Sequence, residues 1–117
     1  AGVMVRRLEQ EFGTRPQALL AAIGPSICRD CFEVDEPVAE VFQALPGWEK
    51  FVTGPEHEKY HVDLWECCRQ TLLDSGVLAE HIALGGLCTM EESSLLFSHR
   101  KTRGRRGSNA AMLALKP

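Results

Sequence analysis

Short apolar segments separated by turn residues run along the chain, and their spacing predicts helices that alternate with strands. The segment of residues 19–23, Leu-Leu-Ala-Ala-Ile, is typical of a strand covered on both faces. Gly24 and Pro25 end it, because proline fixes its own φ and has no amide donor. The polar loop of residues 26–31 therefore leaves the carboxyl end of this strand, where open α/β sheets usually bind ligands. A core strand followed by an ordinary turn would give the same pattern.

Three longer segments have the periodicity and end signals of helices: residues 1–12, 35–45 and 64–75. Asp63 and Glu66 have the spacing of a capping box before the third helix. The apolar faces are predicted to consist of Val3, Met4, Leu8 and Phe12, of Val38, Val41, Phe42 and Leu45, and of Leu64, Trp65, Cys68 and Leu72.

Shorter apolar segments predict the remaining strands, at residues 32–34, 60–62, 82–84, 95–98 and 110–115. Residues 48–58 carry mixed charge around Trp48, Phe51 and Gly54-Pro55, and we expect them to form a surface loop. The alternation of helices and strands predicts the α/β class: a layered mixed sheet with flanking helices, forming a single domain over residues 1–117.

Composition favours a soluble globular protein, since 44% of the 117 residues are hydrophobic and 25% are charged. No apolar run approaches the length of a membrane span, and the chain does not start with a signal-peptide pattern. We therefore expect a cytoplasmic protein without a membrane partner. Its five cysteines are odd in number and form no regular framework, which favours reduced thiols.

Charge is distributed unevenly along the chain. Residues 1–92 contain 16 Asp and Glu against 7 Lys and Arg, whereas residues 93–117 contain 6 Lys and Arg and no acid. Five of these basic residues lie within seven positions: Arg100, Lys101, Arg103, Arg105 and Arg106. This distribution indicates a local site for an anionic ligand rather than a nucleic-acid-binding face.

Cys28 and Cys31 form a C-x-x-C motif. A redox pair normally lies at the start of a helix, which lowers the thiol pKa, but here a strand is predicted to follow. A zinc knuckle needs a second ligand pair, and the neighbouring side chains of Cys67-Cys68 would point about 100° apart on a helix. We therefore expect loop cysteines without a chemical role.

The four histidines, at positions 57, 61, 81 and 99, form no pair with metal-ligand spacing. The residues of this chain therefore do not assemble a metal site from their spacing alone. Cys28, Cys31 and His61 would be the first ligand candidates if the chain bound a metal itself.

The segment Phe97-Ser98-His99-Arg100 is the best candidate for ligand binding. In a strand, Ser98 and Arg100 would share one face and His99 would lie on the other. The planar donor fork of Arg matches phosphate or carboxylate. The glycine-containing loop that follows carries Arg103 and would wrap around an anion. The alternative interpretation is that this loop is a basic hairpin tip exposed to solvent and without a ligand. With the loop residue Ser26, the candidate binding residues are Arg100, Ser98, Ser26 and Arg103.

Five segments of this chain resemble, in order and spacing, the YfiH/YlmD family, also called laccase-domain or polyphenol oxidase proteins. They are Ala22-Ile23-Gly24-Pro25-Ser26-Ile27, Cys31-Phe32-Glu33-Val34, His61-Val62-Asp63-Leu64-Trp65, Cys88-Thr89 and Leu96-Phe97-Ser98-His99-Arg100. The family fold is an α/β layered domain of roughly twice this length. The resemblance therefore implies that this chain is the C-terminal half of a YfiH-like domain.

The resemblance also implies a function. The associated activities are phosphorolysis of adenosine, inosine and methylthioadenosine, and deamination of adenosine, so a nucleoside and phosphate are the expected partners. The family's zinc is held by two histidines and a cysteine in an N-terminal half that is absent here. The chain would then supply pocket wall and the anion-binding Arg100, with no assigned catalytic residue, and would be inactive alone. Many relatives carry Gly-Arg in the slot of Gly107-Ser108, so which loop arginine substitutes stays open.

Two alternatives remain. An older family assignment is copper-dependent, laccase-like oxidation of polyphenols. The other is a non-enzymatic module whose Arg-rich loop binds nucleic acid or a protein; the acidic remainder of the chain and its few aromatic residues make nucleic acid the weaker partner. An apolar sheet edge left without a partner predicts self-association or docking with the missing half.

Overall fold

The computed structural model describes residues 1–116 as four α-helices and five strands, joined by loops and three short 3-10 turns. The helices are α1 (Gly2–Phe12), α2 (Glu36–Gln43), α3 (Leu64–Asp74) and α4 (His99–Thr102). The strands are β1 (Ala21–Ile23), β2 (Glu33–Val34), β3 (Val52–Glu56), β4 (Lys59–Val62) and β5 (Ile82–Leu84). None of the helices in this part of the chain is long and apolar enough to cross a membrane.

The strands form two small sheets, one parallel and one antiparallel, which confirms the mixed α/β class. Strand β1 pairs with β5 in parallel, and Ala22 lies opposite Ala83. The other sheet has the order β2-β4-β3, with both pairs antiparallel. The paired residues Ala21 and Ile82 are 61 positions apart, and the two strands run in the same direction. The intervening helices therefore form the crossover between them.

One layer of helices covers the parallel sheet. Val5 of α1, Leu72 of α3 and Val77 form a buried cluster against Ile23 and Ile82. The opposite side of the sheet is open among the described residues, since the paired residues Ala22 and Ala83 are exposed. The prediction that β1 is covered on both faces is therefore wrong for this chain, whereas an exposed apolar sheet face is present as expected.

The antiparallel sheet packs against α2 and α3 around Phe51, which is 1% exposed. Val62 and Ala39 are fully buried beside it. Residues 48–58 were expected to be a surface loop, and this is wrong: they contain Phe51 and strand β3. The turn from β3 to β4 places His57 and Glu58 at φ 50° and 64°. Hairpin turns of this kind usually carry Asn-Gly or Asp-Gly, so the sequence has no signal for the hairpin.

The predicted helices are present and Leu72 is buried as predicted, but the other fully buried helix residues differ from those expected. In α1, Val5 is buried, whereas Val3, Met4 and Phe12 are exposed. Likewise, α2 buries Ala39. In α3 the buried residues are Cys67 and Leu72, and Cys68 is exposed. Each helix touches the core through a narrow stripe of side chains, so periodicity predicts the helix but leaves its rotation undetermined.

The cap predicted for α3 is confirmed, because the Asp63 carboxylate accepts a hydrogen bond from the Glu66 amide at 3.1 Å. The two strands predicted after residue 94 are wrong. Residues 91–95 form a turn, Ser98 is the N-cap of the short helix α4, and residues 105–116 have no regular secondary structure. The side chains of Met112, Leu113 and Leu115 are almost fully exposed, and no strand within residues 1–116 pairs with this segment. Residue 117 lies outside the described residues.

The two phenylalanines whose roles differ from expectation give a matched stability test. Phe51→Ala should lower the free energy of unfolding by about 3–5 kcal/mol, because it leaves a cavity in the antiparallel-sheet core. Phe12→Ala, at a side chain that is 75% exposed, should change it by less than about 0.5 kcal/mol. Urea denaturation followed by circular dichroism measures both. Equal losses would show that Phe51 does not anchor the core.

Candidate anion-binding cleft and thiol cluster

Two loops meet at the carboxyl ends of β1 and β5 and form one wall of the candidate site. Beyond the strands the pairing continues as an isolated parallel bridge between Ser26 and Cys88. The Ser26 amide donates to the Leu87 carbonyl at 3.3 Å, and the Thr89 amide donates to the Ser26 carbonyl at 3.2 Å. The loop of residues 26–31 therefore lies beside the loop of residues 85–91.

A cleft of about 350 Å³ opens next to this bridge. Its lining residues come from both loops and from the basic C-terminal segment: Ser26, Ile27, Phe32, Thr89, Phe97, Ser98, His99, Arg100, Arg106 and Asn109. Three of the four residues proposed from the sequence, Ser26, Ser98 and Arg100, thus line one cleft. Arg103 does not line it, and Arg106 does.

The guanidinium of Arg100 is held over the cleft wall by two contacts. One terminal nitrogen donates to the Glu33 carbonyl at 2.9 Å, and the guanidinium carbon lies 5.3 Å from the centre of the Phe32 ring. Within residues 1–116, Arg100 forms no ion pair with a carboxylate. Because a guanidinium has five N–H donors, most of its fork stays available to an anion in the cleft.

The two serines of the cleft already have hydrogen-bond partners. Ser98 is 3% exposed, and its hydroxyl oxygen accepts from the Lys101 amide at 3.2 Å as the N-cap of α4. A strand would place His99 on the face opposite to Ser98 and Arg100. This expectation is wrong, because all three residues line the cleft from the helical turn at α4. The Ser26 oxygen accepts from the Trp65 indole at 2.7 Å, which leaves the Ser26 hydroxyl proton to be donated.

The basic loop that follows α4 is folded back onto the cleft. The side-chain amide of Asn109 closes it, accepting from the Phe97 amide at 3.0 Å and donating to the Phe97 carbonyl at 2.9 Å. Gly107 lies against the Phe97 ring so closely that a Cβ there would be 2.8 Å from a ring carbon. The Arg106 side chain donates to His99 Nδ1 at 3.4 Å. Sequence analysis missed Asn109, since one asparagine in a polar loop carries no specific pattern.

The second feature of this wall is a cluster formed by Cys28, Cys31, Cys88 and Glu91. Their candidate ligand atoms all lie within 4.8 Å of one another. One Glu91 oxygen is 3.8 Å from the sulfur of Cys28 and 3.8 Å from the sulfur of Cys31. The Cys28 amide donates to the Cys88 sulfur at 3.3 Å. Sequence analysis missed Cys88 and Glu91, although their C-x-x-E spacing matches the C-x-x-C spacing of the first pair.

Local contacts set the ionisation of these thiols. Burial raises the pKa of Cys31 to about 12, and the neighbouring thiols of Cys28 and Cys88 act in the same direction. Burial also raises the pKa of Cys28. At Cys88 burial opposes ionisation, but hydrogen bonds from backbone amides, among them those of Cys28 and Glu91, outweigh it and lower the pKa. Negative charge in the cluster is therefore best stabilised on the Cys88 sulfur.

The third metal candidate from the sequence, His61, lies outside this cluster. Its Nδ1 donates to the Arg29 carbonyl at 2.9 Å, and its Nε2 is 3.7 Å from a Glu33 carboxylate oxygen. His61 thus fastens the loop of residues 26–31 from the other side. Among residues 1–116 the thiol cluster is the only group of three or more possible ligands. It contains no histidine, so these residues do not fit a zinc centre of two histidines and a cysteine.

Comparison with known proteins places these features in a family. The family model described as "Multi-copper polyphenol oxidoreductase laccase" matches residues 1–116. Purine nucleoside phosphorylase YlmD of Bacillus subtilis (strain 168) is 36% identical over 114 residues, which cover 97% of this chain and 41% of that protein. Adenosine deaminase RL5, from an unknown prokaryotic organism, is 36% identical over 91 residues, which cover 76% of this chain and 35% of that protein.

Solved structures agree with the sequence comparison. The crystal structure of YlmD from Geobacillus stearothermophilus superposes with a TM-score of 0.84 at 34% identity, covering 91% of this chain and 40% of that one. The chain therefore spans about two-fifths of the length of the relatives it matches. The family resemblance is confirmed, whereas the matches do not support the further expectation that the chain is the C-terminal half of the family domain.

The closure of the basic loop by Asn109 can be tested directly. Asn109→Ala removes both hydrogen bonds to Phe97, each worth about 0.5–1.5 kcal/mol. Exchange of the Phe97 amide hydrogen with solvent, followed by NMR, should therefore become faster by roughly tenfold. Ser108→Ala, at the exposed neighbouring position, should leave the exchange rate unchanged. An unchanged rate in Asn109→Ala would show that other contacts hold the loop.

Proposed function

Because this chain belongs to the laccase-domain (YfiH/YlmD) family, we propose that it forms part of an enzyme acting on purine nucleosides. Its role is to supply pocket wall and the arginine that binds phosphate. The observation that carries the proposal is the cleft, which gathers Arg100, Arg106 and Ser26 beside a parallel-strand edge. The names of the relatives, purine nucleoside phosphorylase and adenosine deaminase, favour nucleosides as the substrate class.

The charges in the cleft fit phosphate. Arg100 and Arg106 are the charged groups among the lining residues, and no Asp or Glu is among them. Bidentate hydrogen bonds from an arginine fork to phosphate oxygens are both short and strong. The Ser26 hydroxyl adds a neutral donor on the opposite wall. An anion in this cleft would therefore meet donors on two sides and no repelling carboxylate.

The apolar part of the cleft fits a nucleoside. A volume of about 350 Å³ lies in the range of small-molecule sites. Phe97 is 51% exposed at the cleft and offers an aromatic face for stacking on a purine. Phe32 lies under the Arg100 guanidinium and keeps it in place. One wall thus combines an aromatic surface with an anion-binding group, as a nucleoside and phosphate require.

These residues would act by binding and orientation. Phosphorolysis joins a phosphate oxygen to the anomeric carbon of the ribose and releases the purine, so the phosphate must be held against that carbon. Arg100 would hold the dianion there and balance its charge. Deamination uses water instead of phosphate and does not need this clamp. We propose that the family's two-histidine, one-cysteine zinc centre, which these residues do not fit, lies elsewhere in the complete enzyme.

Copper-dependent oxidation of polyphenols is the second candidate function, and the description of the matching family model favours it. Within residues 1–116 no group of histidines is assembled that would bind copper, and the cleft carries anion-binding arginines that a phenol does not require. The cleft therefore favours the nucleoside reaction.

The proposal predicts that the 117-residue chain by itself does not turn over adenosine or inosine. It spans about two-fifths of its relatives and assembles no two-histidine, one-cysteine centre in its described residues. Purified chain should be assayed for base release with phosphate and for ammonia release without it, each with added zinc and with added copper. Robust turnover in any of these assays would overturn the assignment of catalysis to the rest of the enzyme.

A phosphate titration of the same chain tests Arg100. Arg100→Lys keeps the positive charge but loses the bidentate fork, so phosphate binding should weaken by about 1.5–3 kcal/mol. Arg103→Lys, outside the cleft, should bind phosphate like the parent chain. Chemical shifts of backbone amides measure the affinity, and thermal unfolding checks the fold. Equal weakening of phosphate binding in both variants would show that the loop attracts anions only through its general positive charge. A lower melting temperature without weaker phosphate binding would show that Arg100 has only a structural role.

A further inference from the structure

We propose that Cys28, Cys31, Cys88 and Glu91 form a structural zinc site that joins the two loops at the carboxyl ends of β1 and β5. This site differs from the two-histidine, one-cysteine centre of the family resemblance, because all four of its candidate ligands lie in this chain and none is a histidine. Its test also does not depend on whether the cleft binds a nucleoside.

The spacing of the four residues suits a chelate. Two ligand pairs, Cys28 with Cys31 and Cys88 with Glu91, each enclose two residues. Both pairs lie on tight turns: the Phe32 amide donates to the Cys28 carbonyl at 2.9 Å, and the Glu92 amide donates to the Cys88 carbonyl at 2.9 Å. Such turns direct the first and fourth side chains toward the same point. Two turns that face each other in this way can supply the four ligands of a closed site.

The observed distances agree with tetrahedral coordination. Zinc binds thiolate sulfur at about 2.3 Å and carboxylate oxygen at about 2.0–2.2 Å, so the sulfur and oxygen ligands of one ion lie about 3.5 Å apart. Both sulfurs of the C-x-x-C pair are 3.8 Å from the same Glu91 oxygen. These two distances are therefore within a few tenths of an ångström of the separation expected around one ion, and all four ligand atoms lie within 4.8 Å of one another.

The neighbouring contacts orient the ligands. The Cys28 amide already donates to the Cys88 sulfur, and hydrogen bonds of this kind stabilise a thiolate. His61 holds the first turn through the Arg29 carbonyl. Cys88 is 3% exposed, so its sulfur is fixed, whereas Glu91 is exposed and can adjust. Metal binding would release the three thiol protons to solvent.

The ligand set favours zinc over the other ions that thiols bind. Zinc accepts thiolate and carboxylate together, whereas copper(I) selects thiolate and thioether ligands. Magnesium and calcium require oxygen ligands. With four protein ligands the site has no open position for a substrate, so its role is to crosslink the loops. Ile27 and Thr89, which line the cleft, are the chain neighbours of Cys28 and Cys88, so the ion would stiffen the cleft wall.

The test uses the full chain, stripped of metal and kept reduced under anaerobic conditions. Titration with cobalt(II) as a spectroscopic substitute should give the charge-transfer absorption of several thiolates and saturate at about one ion per chain. Zinc should displace the cobalt and abolish the absorption. Zinc should also raise the melting temperature. No thiolate absorption, or a Cys28–Cys31 disulfide in place of bound metal in the anaerobic protein, would overturn the proposal.

Variants separate this site from adventitious binding. Loss of a group that only hydrogen-bonds to a metal ligand weakens metal affinity by about 10–100-fold, so loss of a ligand in Cys88→Ser should weaken zinc binding by more than about 100-fold. Cys68→Ser, an exposed cysteine outside the cluster, should bind like the parent chain. Glu91→Gln changes an exposed side chain and should fold normally; it should bind at least roughly tenfold more weakly, with Glu92→Gln unchanged. Zinc affinity equal to that of the parent chain in either Glu91→Gln or Cys88→Ser would overturn the proposal.

Discussion

The parallel pairing of β1 with β5 positions one wall of the cleft and all four residues of the thiol cluster. Three residue pairs, extended by the bridge between Ser26 and Cys88, bring together two loops that are about 60 positions apart in the chain. Parallel strands end at the same edge, so both loops leave the sheet side by side. One of them carries Ser26 and the C-x-x-C pair, and the other carries Cys88 and Glu91. Without this pairing neither the cleft nor the thiol cluster would form.

The cleft and the thiol cluster share this wall but have different chemistry. The cleft is lined by arginine donors and aromatic rings, whereas the cluster consists of three thiol sulfurs and a carboxylate. The two are joined along the backbone, since Ser26 lies two residues before Cys28 and Thr89 directly follows Cys88. A change in the conformation of either loop therefore alters both the cleft and the thiol cluster. This coupling explains how a site without an open coordination position would still affect binding in the cleft.

The opposite wall is held by side chains that bond to the backbone rather than by a sheet. Ser98 caps α4, and Asn109 occupies both polar backbone groups of Phe97, as a neighbouring strand would. Arg100 binds the Glu33 carbonyl and so ties this wall to β2. Serine and asparagine offer the backbone such alternatives to regular pairing. The C-terminal segment is therefore shaped by a few polar contacts, and its apolar residues beyond 110 stay exposed.

The sequence by itself determined the elements whose signals are local. Helix periodicity located α1 and α3, the Asp63 and Glu66 pair marked a cap, and apolar segments marked β1, β2, β4 and β5. The ordered motifs also identified the family and selected Ser26, Ser98 and Arg100, which meet in the cleft. Only the tertiary structure decided which helix face is buried, because rotation depends on partners far along the chain. It alone revealed β3, since the turn at His57 and Glu58 uses residues that seldom adopt a positive φ. It alone brought Cys88 and Glu91 to Cys28 and Cys31, because spacing records neighbours along the chain and the contact between the two pairs comes from strand pairing.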